Sequence, residues 1–271
     1  MLGKLLKHEF KATGRLLLPI YIAFIIITPI TAVYLRLNGT SLFPEDSMFF
    51  NVLSGLCMAL YIIANIAMVT ASYIVILYMF YKTMVSKEAY LTHTLPVKTS
   101  SLLISKTLVA TIWNIIAFVL MFVSILSFTR IIGVWHKGDI TLEKIQIVLN
   151  QLGITPLFII LFIVLIVVGL ISSYTTYFTC FAVGQRFTGH PIAGAILSYM
   201  VLSFIMQIIS TLAITAFSFT DFYDKLELDD SSIMYSNVPL LYLGFLIVFS
   251  SFFTIILFLI SNHMFKKKLN I

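Results

Sequence analysis

Six stretches of this chain run for twenty residues or more without one Asp, Glu, Lys or Arg: Leu16–Leu35, Ser47–Tyr81, Thr107–Thr129, Ile145–Gln185, Phe187–Thr220 and Ser231–Phe265. A hydrocarbon core about 30 Å thick takes about 20 apolar residues of helix to cross. Each window is long enough for one crossing, and this pattern constrains the fold more than anything else in the sequence. Composition agrees. Hydrophobic residues make up 60% of the chain and charged residues 10%, against about 45–50% and about 25% in soluble domains. A water-soluble fold has nowhere to hide so much apolar surface.

The fourth window is long enough for two short crossings. It reads as one, because "NQLG" (Asn150–Gly153) and Pro156 interrupt it near its start. The preceding "TLEKIQIVLNQ" collects Leu142, Ile145, Val148 and Leu149 on one helical face, as an interfacial helix does. The expected fold is therefore an all-α membrane protein with one domain, 1–271. Its spans lie at about 16–36, 50–80, 107–129, 156–183, 191–218 and 239–262.

Six spans place both ends of the chain on one side. That side holds Lys4, Lys7, Lys11, Arg15, Lys82, Lys87, Lys98, Lys106, Arg186 and Lys266–Lys268, which is 12 of the 17 basic residues. The other side holds Arg36, Arg130, Lys137, Lys144 and Lys225 with 9 of the 11 acids. Positive loops stay in the cytoplasm, so both termini are expected there, in a multi-pass protein of a bacterial cytoplasmic membrane. Cys57 and Cys180 fall at opposite membrane depths and read as unpaired core residues.

Several chemistries are missing from the sequence. It has no G-x-x-x-x-G-K-[ST] and no G-x-G-x-x-G phosphate loop, no H-E-x-x-H, and no Cys/His metal spacing. The span interiors carry no ionisable Asp, Glu, Lys or Arg of the kind that proton relays and ion paths retain. The chain reads as a non-enzyme that binds no cofactor itself, with no nucleic-acid partner. If it moves a substrate, the energy comes from another subunit.

Two polar segments stand out. In "MLGKLLKHEFKATGR", Leu2, Leu6 and Phe10 form one stripe, with Lys7 and Lys11 among the cations elsewhere. Residues 1–15 thus read as a basic amphipathic helix in the membrane surface, among anionic headgroups, with Gly14 turning the chain into span one. The simpler alternative is a positive flank that orients the first span. The second segment, 82–106, contains "KEAYLTHTLPVKTSSLLISK". Ser86 can cap a short helix that has Glu88 in its first turn. Pro96 ends that helix, and Thr99 or Ser100 can cap the next. Tyr90, Leu91 and Leu95 then form an apolar patch rimmed by Lys87, Glu88, His93 and Lys98, a composition suited to protein docking. A plain solvated loop fits the residues equally well.

The order of elements resembles the membrane subunits of type-2 ABC exporters: a surface helix, six spans, and a short cytoplasmic helix between spans two and three. The "EAYLTHTLPVKTSSLLISK" stretch is similar to a pattern common in bacterial members, matching it at Glu88, Tyr90, Leu95, Pro96 and Lys106. The resemblance covers the whole chain in architecture but rests on few residues. It implies that 1–15 is the elbow helix and that 82–106 carries the coupling helix, docking through Lys87, Glu88, Tyr90, Leu91, Leu95 and Pro96. The partner would be a cytoplasmic ABC ATPase that uses ATP and Mg. A second permease copy, or a homologous permease, would complete a dimer in the lipid bilayer. The cargo would be an amphipathic substrate such as an antimicrobial peptide, a drug or a lipid. A non-transporting scaffold or sensor subunit is the alternative.

Polar residues inside the spans leave two readings open. Span five places Tyr199, Ser203, Gln207, Thr211 and Thr215 four residues apart on one face, and span two offers Tyr61, Asn65 and Ser72. They can line a substrate path or link helices by hydrogen bonds. The "SSYTTYFT" run in span four, Ser172–Thr179, reads as close packing. The acidic loop at 219–238 reads either as a mouth for cationic peptides or as a solvated loop.

Overall fold

The computed structural model describes residues 2–38, 48–86, 89, 97–133, 155–187, 190–218 and 237–267. Among them every regular element is an α-helix. In chain order these are α1 (Leu2–Asn38), α2 (Met48–Met84), α3 (Thr99–Ile132), α4 (Pro156–Gly184), α5 (Pro191–Ser218) and α6 (Asn237–Lys267). All six are long and apolar enough to cross a membrane. Large hydrophobics face outward along them, among them Ile30 at 62%, Ile74 at 66% and Val248 at 70% exposure. In water that surface would be untenable, and against lipid it is the ordinary state. The chain is a multi-pass membrane protein. The interfacial helix expected at 141–151 and the acidic loop at 219–236 lie outside the described residues.

The helices start and stop where local chemistry dictates. Thr155 caps α4 with extended backbone (φ −78°, ψ 154°), its hydroxyl accepting from Phe158 N, and Pro156 occupies the first turn, where its missing N–H costs nothing. At the far end Gln185 N donates to Phe181 O at 3.2 Å and Phe187 N to Gly184 O at 3.1 Å.

Three expectations change. Helix α1 runs through Gly14 without a break, so 1–15 is not a separate turn-bounded element. Gly14 instead lets a tryptophan approach: a Cβ there would lie 2.9 Å from Trp113 Cζ2. Helices α2 and α3 continue beyond the apolar windows, to Met84 and back to Thr99. Helix hydrogen bonding continues after hydrophobicity ends, and an α1 of 37 residues is about 55 Å long, well beyond the hydrocarbon core.

The chain forms two compact units, Met1–Met79 with Leu108–Ile145, and Phe80–Thr107 with Gln146–Ile271. In the first, α1, α2 and α3 are linked by hydroxyls. Tyr61 Oη lies 3.1 Å from Ser124 Oγ, and Ser124 Oγ lies 3.1 Å from Thr28 Oγ1, which donates to Phe24 O at 3.0 Å. Three hydroxyl protons serve three bonds if all point the same way, from Tyr61 to the α1 backbone. Tyr61 also stacks on Phe128 at 3.8 Å and 2°, beside Ala32. One to two turns nearer the N-terminus of α1, Tyr21 Oη sits 3.0 Å from Ser72 Oγ and 3.1 Å from Trp113 O.

In the second unit α4 packs against both α5 and α6. Tyr174, Thr175, Phe178 and Thr179 of the "SSYTTYFT" run are buried, and Thr179 Oγ1 donates to Leu257 O of α6 at 3.1 Å. The run packs as its small and hydroxyl residues suggest. Gly184 and Gly194 bring α4 and α5 together so closely that a Cβ on Gly184 would lie 2.6 Å from Ala195 N. Cys180 is buried and Cys57 half-buried, and neither forms a disulfide.

Candidate functional site

The expected docking residues Lys87, Glu88, Tyr90, Leu91, Leu95 and Pro96 lie outside the described residues, and the site is defined by what holds the two ends of their segment. Leaving α2, Val85 N and Ser86 N both donate to Tyr81 O, at 2.9 and 3.0 Å. The Ser86 hydroxyl donates back to Lys82 O at 2.7 Å, and its carbonyl accepts from Ala89 N. Ser86 therefore closes the last turn of α2 while its backbone opens the next turn. At the return, Lys98 O accepts from Ser101 N and Leu102 N. Thr99, expected as a cap, is already helical and ties α3 to α6, its hydroxyl donating to Asn262 Oδ1 at 3.0 Å.

Below these ends lies a dense base, all of it within the second unit. Phe80 of α2 stacks on Phe178 of α4 at 3.6 Å and 4°, and meets Phe265 of α6 edge-on at 6.1 Å. Phe181 of α4 lies within 5.9 Å of both Phe80 and Tyr81. Gln185 Nε2 donates to Met84 O at 3.2 Å. Lys106, only 6% exposed, donates from Nζ to Thr83 Oγ1 at 2.8 Å, joining the start of α3 to the end of α2. Met84, Leu102, Leu103 and Ser105 are fully enclosed. Interiors packed this densely yield little and pass strain on. Phe80 and Gln185 thus join the end of α2 to α4, Phe80 also meets Phe265 of α6, and Thr99 joins the start of α3 to α6.

The two polar sets differ. Tyr61 and Asn65 are buried in the first unit, at 6% and 8% exposure. Asn65 Nδ2 donates to Tyr61 O at 2.8 Å, while its Oδ1 is buried without a hydrogen-bond partner among the described residues. Tyr199, Ser203, Gln207 and Thr211 belong to the second unit. Their face of α5 is half-buried to exposed. Its hydroxyls satisfy themselves within the helix: Ser203 donates to Met200 O, Thr211 to Gln207 O and Thr215 to Leu212 O. Such back-bonded hydroxyls can face lipid. The exposed carboxamide of Gln207 is different, since an amide left in hydrocarbon costs about 4–8 kcal/mol. Tyr199 rests its ring on Tyr177 of α4 at 5.3 Å.

Near the N-terminus, Lys7 and Lys11 are exposed, Leu6 is half-buried, and Phe10 stacks on Trp113 at 4.6 Å and 18°. Leu2 is helical. The stripe thus has a partner in the protein as well as an outward face. The sequence reading missed Trp113, Tyr21 and Ser124 as links. Their one signal was polar atoms inside charge-free windows, and nothing in the spacing pairs residues about a hundred positions apart.

Among the described residues no group of three His, Cys, Asp or Glu is placed to hold a metal ion. Comparisons with known proteins give no matching family model, no matching curated protein and no matching solved structure.

Proposed function

We propose that this chain is the membrane permease subunit of an ATP-driven exporter, working with a separate ATPase that docks on the cytoplasmic segment 82–106. The observation that carries the reading is the clamping of both ends of that segment, to each other by Lys106 and onto α4 and α6 by Phe80, Gln185 and Thr99. In this reading ATP and Mg are held by the partner. Its closure presses the segment, and the base hands the displacement to the helices as a rigid-body tilt between two states. In this reading the segment and both termini lie on the cytoplasmic side of a bacterial membrane, and the bias of basic residues supports that side. A second permease, the same chain or a homologue, covers the Gln207 face of α5, where an amphipathic cargo would also pass.

The test is co-expression with a candidate ABC ATPase from the same genome, with the tag on the ATPase. Leu91→Asp with Leu95→Asp is expected to abolish co-purification and permease-stimulated ATP hydrolysis, while the helical circular dichroism of the chain stays unchanged. Unaltered co-purification and coupling would remove the docking assignment.

A further inference from the structure

The first unit contains a cavity of about 640 Å³ between the first turns of α1 and the α3 segment around Trp113. Its walls are apolar: Phe10, Leu18, Ile112 and the face of Trp113. Its rim carries Lys7, Lys11 and Arg15, three exposed cations. Their spacing of four residues sets them along one face of α1, about 12 Å from first to last. Glu9, the acid of this segment, does not line the cavity. Lys7, Lys11 and Arg15 alternate along α1 with Leu6, Phe10 and Gly14 of the same cavity, and the charge-free run begins at Leu16, so the cations stand beside an apolar wall where the basic flank meets span one. The indole ring that closes it also carries a buried N–H with no acceptor among the described residues.

We infer that this cavity is a binding site for one anionic phospholipid, its phosphate held by Lys7, Lys11 and Arg15 and an acyl chain laid against Leu18, Ile112 and Trp113. A row of cations beside an apolar wall matches the anionic headgroup and the acyl chain of such a lipid. A zwitterionic lipid, its phosphate offset by its own ammonium, would bring the three cations no net counter-charge, and a free anion would leave the apolar wall uncovered. The site is independent of the exporter reading, since it uses neither the segment 82–106 nor the α5 face.

Two tryptophans are present, Trp113 and Trp135, so Trp135→Phe leaves Trp113 as the sole reporter. The protein is reconstituted in phosphatidylcholine vesicles containing, as a minor component, either phosphatidylglycerol or phosphatidylcholine with brominated acyl chains. Brominated phosphatidylglycerol is expected to quench Trp113 with an apparent affinity about five- to thirtyfold above that of brominated phosphatidylcholine, the scale of one or two cation–headgroup contacts. Lys7→Gln with Lys11→Gln and Arg15→Gln should bring the ratio close to one. Leu18→Phe with Ile112→Phe fills the space along the apolar wall and keeps the cations, and should also reduce the ratio. Excess inorganic phosphate should leave the quenching unchanged. Equal quenching by the two lipids would overturn the proposal. So would a preference that survives filling, which would assign it to surface potential alone, or displacement by phosphate, which would leave a simple anion site.

Discussion

Gly184→Ala tests how closely α4 and α5 approach. A methyl group on Gly184 would lie 2.6 Å from Ala195 N, 2.7 Å from Pro191 O and 2.8 Å from Ala195 Cα. All three are backbone atoms, so no side chain can swing aside, and α5 must retreat by close to an ångström to restore contact distance. Overpacking of this kind costs about 1–3 kcal/mol, and rigid backbone places it in the upper half of that range. Alanine returns up to about 1 kcal/mol of helix propensity. The net is a destabilisation of about 1–2 kcal/mol, a factor of roughly 5–30 in the equilibrium. Cys180, one turn earlier on α4 and buried, supplies the readout. With Cys57→Ser as background, its labelling by a thiol reagent in micelles should be about 5- to 30-fold faster in the variant when opening precedes reaction. Gly169→Ala on the same helix meets nothing within 4 Å and should label no faster than the parent. Gly184→Ala within twofold of the parent would refute the close approach.

Two further outcomes follow from the polar groups in the spans. Ser124→Ala removes the middle of the chain from Tyr61 to Phe24 and strands the Tyr61 hydroxyl, at about 1–3 kcal/mol. Tyr61→Phe should cost only about 0.6 kcal/mol, and the double variant less than the sum. Strict additivity in chemical unfolding would mean that the chain is not connected. Gln207→Leu should leave the isolated chain as stable as before but weaken its pairing about 3- to 30-fold, from about 0.6–2 kcal/mol per interhelical hydrogen bond. Thr211→Val should not, since that hydroxyl is already satisfied in its own helix. Dimer dissociation measured in micelles distinguishes them, and equal effects would count against a partner for Gln207.

Much of the helical frame was legible because the bilayer imposes one strong rule, and charge-free windows obey it. The bounds at Pro156 and Pro191 were legible too, since proline marks a first turn by its own covalent geometry. Less legible was anything set by contact between distant helices. Gly14 looked like a hinge, and its role is room for Trp113, 99 positions away. Tyr61 and Gln207 looked alike, each a polar residue at helical spacing in a span. One is enclosed by α1 and α3, the other stands on an open face of α5, and only packing distinguishes them. Lys106 marked the end of a polar segment in sequence. In the fold its ammonium reaches the last turn of α2, which no periodicity announces. The Thr99 hydroxyl, read as a possible cap of the helix that enters the bilayer, bonds Asn262 of α6 instead, while the Ser86 hydroxyl donates back to Lys82 O.

The central claim is that the segment between α2 and α3 touches a cytoplasmic ATPase. Ala89 is its one described residue between Ser86 and Val97, which makes it the place to look. In a background of Cys57→Ser and Cys180→Ala, Ala89→Cys should cross-link to the co-expressed ATPase with a short reagent that joins a thiol to a lysine amine. Met48→Cys, at the opposite end of the 37-residue α2, should not. Cross-linking from position 48 alone, or from neither position in a complex that still assembles, would contradict the account.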